Sequence, residues 1–391
     1  MNGGGLVIVG GGPAGLAAAR SYRDAGGDMA VTMLAGERHH PYNRPPLTKG
    51  YLRGETDRSE LPIESPSFFD DNDITFVPGA RARARALDLR ARTVATEDHG
   101  DFGYWACVLA TGSEPFRLPI PGADDPNLYV MRTIEDSDRL AAAAVAGARA
   151  VVVGSGFIGC EAAASLVMRG VEVTLVSDEA VPQERRLGDE AGSRIGTWLE
   201  ELGVTLKMGA GVAGIEARGG GHSVTVEGGE SVSGDIVFLG TGVRARVGLA
   251  EAAGLPIANG GVVTDSSMHT GADDIWAAGD ITFAMNAAAG RRLRVEHWGE
   301  ALNQGTVAGK AITGADARWD IAPGFWSTIG TKTLKHVAWG DGHDEVRVEE
   351  DGDGWSVWYG SRGVTVGVLT HNSDDDHDRG RKLVETKGPL P

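Results

Sequence analysis

Residues 6–15 read LVIVGGGPAG, and residues 150–159 read AVVVGSGFIG. Each is a short apolar run that passes at once into a GxGxxG turn. Such a run suits a strand buried on both faces of a parallel sheet. The turns place glycine at Gly10, Gly12 and Gly15, and again at Gly154, Gly156 and Gly159. In this pattern the first glycine permits the tight turn and the second lets a pyrophosphate approach the backbone. The third lets helix and strand pack closely. The helix that follows offers amide donors and the positive end of its dipole to an anion. LAAARSYRDAG and then MAVTML follow the first turn; CEAAASLVMRG and VEVTLV follow the second. Each copy is strand, glycine turn, helix, strand: a βαβ unit. The copies lie 144 residues apart. They predict an α/β fold with two Rossmann-like dinucleotide-binding domains.

What surrounds each copy separates their roles. Glu37 stands 22 positions after Gly15, in range for a carboxylate that accepts ribose hydroxyl bonds. After the second copy, Ser177 occupies the position where such an acid is often found, followed by Asp178 and Glu179. Carboxylates there repel a 2′-phosphate and favour NADH over NADPH. Arg185 and Arg186 follow closely enough to reverse that preference. IWAAGD at 275–280 reads as a buried strand ending at Gly279 and Asp280. It completes the first copy, so the second is nested within it, as in flavoproteins that bind two dinucleotides. Asp280 then meets the ribityl chain, a role compatible with capping the next helix. LPIPG at 118–122 reads as a linker. The expected organisation is a discontinuous FAD-binding domain over 1–116 and 243–318, an NAD(P)H-binding domain over 117–242, and a small α+β domain over 319–391. Residues 298–312 read as a helix. The last segment is marked by Trp319, Trp326, Trp339, Trp355 and Trp358.

The bulk composition narrows the function. The 391 residues carry a formal net charge of −17, which argues against general nucleic-acid binding. The 59 glycines are dispersed, without a collagen period. The two cysteines, Cys107 and Cys160, form neither a CxxC pair nor a metal cluster. A reducing cytoplasm is the expected compartment. MNGGGLVIVGGG has no basic n-region and no long apolar h-region, so no signal peptide is expected. The absence of an apolar run of about 18 residues argues against a membrane span.

PYNRPPLTKG at 41–50 holds three prolines and two cations, Arg44 and Lys49. Proline fixes φ and removes a donor, so a stiffened loop is expected here, neither helix nor central strand. RARARALDLRAR at 81–92 places Arg81, Arg83 and Arg85 on one strand face at period two. A solvated face is the simpler reading and a partner-docking patch the sharper one.

GGGPAG, PYNRPPLTK, ATGS, GSGFIGCE, GTGV, AAGD and EHW occur in one order. Over residues 5–330 the chain resembles the FAD-dependent, NAD(P)H-using ferredoxin and rubredoxin reductases. That group shares the glutathione-reductase-like FAD/NAD(P) fold and also holds the apoptosis-inducing factor. The resemblance implies that Arg44 lies along FAD, that Lys49 reaches the flavin ring, and that Glu161 pairs with Lys49. An ammonium there stabilises the negative charge that arriving hydride leaves on the ring. It also assigns Pro13, Ala14, Ala80, Ala110, Thr111, Gly112 and Gly279 to FAD, with Glu296, His297 and Trp298 at the pyrimidine end. Phe325 and Trp326 match an aromatic pair on the other flavin face. For NAD(P)H it assigns Phe157, Ile158, Gly240, Thr241 and Gly242. Many relatives continue after this tryptophan with Ser-Asp-Gln; here the chain reads FWSTIGTKTLKH, where the acceptor is expected to act.

Disulfide reductases on this scaffold need a redox cysteine pair beside the flavin; peroxide- or oxygen-reducing relatives commonly use a single cysteine in the loop after the first unit, and here that loop, PYNRPPL, has none. Cys107 and Cys160 read as small core residues, although a helix N-terminus can activate a thiol such as Cys160. The leading reading is an enzyme, monomeric or homodimeric, that moves hydride from NADH to FAD and single electrons on to a ferredoxin- or rubredoxin-like protein. Direct reduction of a quinone, another small molecule or oxygen is the second. Residues 319–391 favour it slightly, since their 13 Asp/Glu and 8 Lys/Arg form no basic platform for an acidic partner. A non-catalytic NADH-sensing flavoprotein is the third.

Overall fold

In the computed structural model, residues 4–391 are described; the first three residues of MNGGG, on which the signal-peptide reading partly falls, lie outside them. The chain divides into two compact units. The first comprises residues 1–43, 62–114 and 244–325, and the second residues 44–61, 115–243 and 326–391.

The core of the first unit is a sheet in which Gly5–Val9 lies between Val31–Leu34 and Asp101–Leu109. Ile74–Val77 extends it in parallel on one side, and Ile275–Ala277 pairs in parallel with Asp101–Leu109. The register aligns the strand ends: Val9 with Leu34, Val9 with Leu109, Leu109 with Ala277. With Leu34 also level with Val77, five parallel strands therefore finish along one edge, where open α/β sheets bind ligands. Ala84–Asp88 and Thr93–Thr96 add antiparallel strands beyond. Helix Pro13–Asp24 packs on helix Trp298–Ile312 at close range. A Cβ on Gly305 would stand 2.2 Å from the Ala14 carbonyl oxygen, and one on Gly309 2.2 Å from that of Ala18.

The second unit repeats the principle with a four-stranded parallel sheet. Its order is Thr205–Lys207, Glu172–Val176, Arg149–Val153, Ile236–Leu239, and helix Phe157–Met168 follows the central strand. A three-stranded antiparallel sheet spans Val212–Arg218, Gly221–Val226 and Ser231–Gly234. The C-terminal region forms a five-stranded antiparallel sheet followed by helix Asp374–Thr386. Trp198 of helix Glu184–Leu202 stacks near Trp355 and His371, with ring centroids at 5.8 and 4.8 Å.

Two local expectations are corrected. Pro45–Thr48 is a turn of 3-10 helix, continued by helix Gly50–Arg53. Proline is favoured in a first helical turn, where its missing N–H has no partner to lose, so the prolines start a helix here. The arginine stripe does not exist as one strand. Arg81 lies in a 3-10 turn, Ala80–Ala82, and only Arg85 is within strand Ala84–Asp88. The turn Ala80–Ala82, entered from Gly79 at φ 98, keeps Arg81 out of the extended run.

Candidate functional site

The two glycine turns have the same construction. Gly10 N–H donates to the Leu34 carbonyl at 2.9 Å, and Gly154 N–H to that of Val176 at 2.8 Å. Ala110 N–H reaches the Val9 carbonyl and Gly240 N–H the Val153 carbonyl, both at 2.8 Å. Gly10 and Gly154 hold φ of 139° and 100°, which favours glycine. A Cβ on Gly15 would stand 2.3 Å from the Gly10 carbonyl oxygen, and one on Gly159 2.0 Å from that of Gly154. At the middle glycines the opposite holds. Nothing lies within 4 Å of a Cβ built on Gly12, and only the Gly240 oxygen, at 3.8 Å, near one on Gly156. Neither helix is capped by a side chain, and neither has an acid in its first turn. Open space over an uncapped helix N-terminus, in both copies, fits the pyrophosphates of FAD and of NAD(P)H.

Around the first turn, the C-terminal strand edge gathers several assigned residues. Pro13 and Ala14 open the helix; Ala110, Thr111 and Gly112 follow strand Asp101–Leu109; Gly279 and Asp280 follow Ile275–Ala277. The Ser113 hydroxyl donates to Asp280 Oδ2 at 2.6 Å. Gln304, fully buried in helix Trp298–Ile312, accepts from Gly279 N–H at 2.9 Å and from the Thr282 hydroxyl at 2.8 Å. This fixes the turn that presents Asp280. The Glu37 carboxylate accepts from the Tyr42 hydroxyl at 2.6 Å, and its carbonyl accepts from Gly79 N–H beside Ala80. Glu296 pairs with Arg294 at 2.5 Å. His297 is the N-cap residue of the helix that begins at Trp298, and its ring meets Phe325 at 4.8 Å.

The second unit carries the remaining assigned residues. Phe157 and Ile158 are half-buried at the helix start, and Gly240–Gly242 follows strand Ile236–Leu239. Thr241 donates to the Phe116 carbonyl at 2.5 Å. Ser177 is buried, 2.8 Å from the hydroxyl of Ser155 within the glycine turn. Glu179 is buried too: it accepts from Ser155 Oγ at 2.7 Å and from Arg185 N–H at 3.0 Å. Asp178 is exposed, and a bidentate hydrogen bond from Arg185, at 2.7 and 3.2 Å, holds its carboxyl below the usual carboxylate range. The Arg186 guanidinium lies over the Phe157 ring.

Lys49 and Glu161, distant in sequence, are brought together in the second unit. Lys49 Nζ lies 2.7 Å from Glu161 Oε2 and donates to the Pro45 carbonyl at 3.1 Å. Glu161 is buried and Lys49 partly so, with side-chain exposures of 7% and 14%. Arg44 donates to the Arg132 carbonyl. Trp326 is 46% exposed. Cys107 and Cys160 are fully buried, and burial pushes both thiols well above their ordinary range. Cys160 donates to the Ser155 carbonyl at 3.2 Å; a neutral, enclosed thiol is a poor nucleophile. Among the described residues no cluster of three metal-ligating side chains occurs, and no helix is long and apolar enough to cross a membrane. Sequence reasoning missed Thr48, Ser113, Gln304 and Ser327 as partners of assigned groups. Ser113 and Thr48 carried a signal, as letters of ATGS and PYNRPPLTK; Gln304 and Ser327 did not.

Residues 5–305 match the family described as pyridine nucleotide-disulphide oxidoreductase. The chain is 32% identical to rhodocoxin reductase of Rhodococcus erythropolis, over 98% of this chain and 90% of the relative. It is 33% identical to a rubredoxin-NAD(+) reductase of Pseudomonas putida, over 84% and 85% respectively. Among solved structures, the covalent putidaredoxin reductase–putidaredoxin complex superposes with a TM-score of 0.93 at 28% identity, covering 99% of this chain and 94% of that one.

Proposed function

The chain belongs to the pyridine nucleotide-disulphide oxidoreductase family, and on that footing we propose that it is a reductase taking hydride from NADH and delivering single electrons to a ferredoxin- or rubredoxin-like protein. FAD and NAD(P)H are the cofactors of this chemistry. FAD, when bound, accepts two electrons together and releases them singly. In this reading 1–116 with 243–318 binds FAD, 117–242 binds the nicotinamide nucleotide, and 319–391 forms the third domain. The enzyme is cytoplasmic, as a monomer or homodimer.

The observation that carries the reading is the duplicated glycine turn, open at Gly12 and Gly156, accompanied by a largely buried Lys49–Glu161 pair and no accessible thiol. A disulphide substrate needs a thiolate to attack it, and burial of both cysteines argues against that branch of the family. Relatives named for rhodocoxin, rubredoxin and a putidaredoxin complex support a small redox protein as acceptor. Lys49 holds a positive charge where the resemblance puts the flavin ring, and Glu161 fixes its position.

The preference for NADH is supported by the acids after strand Glu172–Val176. Glu179, not the adjacent Asp178, turns its carboxylate onto the glycine turn through Ser155. Arg185, the cation that could receive a 2′-phosphate, is committed to Asp178. The test is anaerobic addition of NADH, and separately NADPH, to the holoprotein while the visible flavin band is followed. NADH is expected to bleach it with a half-saturating concentration at least about tenfold below that of NADPH. Failure of both nucleotides to bleach bound FAD would overturn the reading.

A further inference from the structure

We infer that Ser327 and Thr48 are positioning residues for the Lys49–Glu161 pair: together they hold the Glu161 carboxylate in the one orientation that fixes Lys49. The inference rests on the role proposed above for that pair. Glu161 lies in the second turn of helix Phe157–Met168 and is 6% exposed. A carboxylate offers about four acceptor sites, and a buried one is costly unless donors fill them. Oε2 accepts from Lys49 Nζ at 2.7 Å and from the Thr48 hydroxyl at 2.5 Å. Oε1 accepts from the Ser327 hydroxyl at 2.7 Å.

Each hydroxyl is itself fixed. Thr48 is buried, and its carbonyl accepts from the Ser165 hydroxyl at 2.6 Å, one turn further along the helix that carries Glu161. Ser327 is buried within strand Gly324–Ile329. Without Ser327, Oε1 loses its hydroxyl donor on a side chain that is only 7% exposed. The carboxylate then turns toward the donors that remain, and Lys49 loses its defined position. Ser327 is the serine that FWSTIGTKTLKH shares with the Ser-Asp-Gln run, and the departure begins at Thr328. Through one carboxylate Ser327 ties the helix of the second glycine motif to the strand that bears the exposed Trp326.

The experiment uses the holoprotein and compares Ser327→Ala, Ser327→Thr, Thr48→Val, Glu161→Gln and the double variant Ser327→Ala/Glu161→Gln. Ser327→Ala is expected to slow the limiting rate of flavin reduction by NADH about tenfold, the scale of one hydrogen bond to a charged group. FAD content and the half-saturating NADH concentration stay unchanged. Thr48→Val moves the rate in the same direction, and Ser327→Thr restores it. In the Glu161→Gln background, Ser327→Ala produces no further loss; an equal loss in both backgrounds overturns the inference. A second measurement needs no turnover. Acetylation of Lys49 by an N-hydroxysuccinimide ester, read by peptide mass spectrometry, is expected to quicken about fivefold in Ser327→Ala. Unchanged labelling overturns the inference by itself. If NADH fails to reduce the wild-type flavin, the functional reading falls, and Lys49 labelling still decides the positioning role.

Discussion

Lys49 shows how one charge is held in place. A lysine on an open surface wanders on a flexible stem and is screened by water. Here a 3-10 turn begun by two prolines sets its backbone, the ammonium donates to the Pro45 carbonyl, and Glu161 pairs with it. Removing one partner of a largely buried pair leaves the other unpaired, at a cost of about 3 kcal/mol. Lys49→Ala is therefore expected to lower the melting temperature while FAD stays bound, and to slow flavin reduction about 100-fold, the scale of losing one fixed charge-stabilising group. Glu161→Gln keeps the shape and a carbonyl acceptor but gives up the ionic anchor. It is expected to slow reduction with a smaller loss of stability. Stopped-flow reduction and thermal melts of the holoprotein check both, and wild-type reduction rates in the two variants would remove the pair from the chemistry.

At the scale of the element, the glycine turns divide their labour among positions. Gly15 is needed for packing: a methyl group there would lie 2.3 Å from the Gly10 carbonyl oxygen. Gly12 faces open space, so no packing contact requires its lack of a side chain. Gly15→Ala is expected to destabilise the apoprotein by about 3 kcal/mol or to abolish soluble expression. Gly12→Ala is expected to leave apoprotein melting within about 0.5 kcal/mol of wild type while FAD binds more weakly. Apoprotein melts and FAD titration separate the two, and equal behaviour would refute the division. These turns were legible in the sequence because every part of a βαβ unit lies within some thirty residues. Pro45–Thr48 was misread because proline's bar on helix interiors does not extend to a first turn. The hydroxyls on Glu161 were illegible for another reason. Ser327 lies 166 residues away, and serine carries no pattern that announces a distant partner. The Lys49–Glu161 contact was foreseen only through family resemblance, since neither residue marks itself locally.

Across the whole molecule, net charge governs how an electron acceptor arrives. The chain carries −17, while composition by itself leaves open which face a partner meets. Five of its 30 arginines fall within 81–92, but three of these are engaged: Arg81 faces Asp98 at 3.5 Å, Arg85 donates to the Thr96 carbonyl, and Arg92 pairs with Asp274. The C-terminal segment from Trp319 is itself acidic, with 13 Asp/Glu against 8 Lys/Arg. An acidic iron–sulfur acceptor therefore approaches against a repulsive field that reaches about 30 Å at 0.01 M salt and about 8 Å at 0.15 M. Screening removes that barrier, so kcat/KM for such an acceptor is expected to rise as ionic strength increases over this range. A basic acceptor is expected to show the opposite slope, because the same field then steers it in. The measurement is turnover with one acidic and one basic acceptor at several salt concentrations under saturating NADH. A falling slope with the acidic acceptor would mean that a locally basic docking face outweighs the net charge. Replacing Arg81, Arg83 and Arg85 together would then test whether that face is the arginine segment.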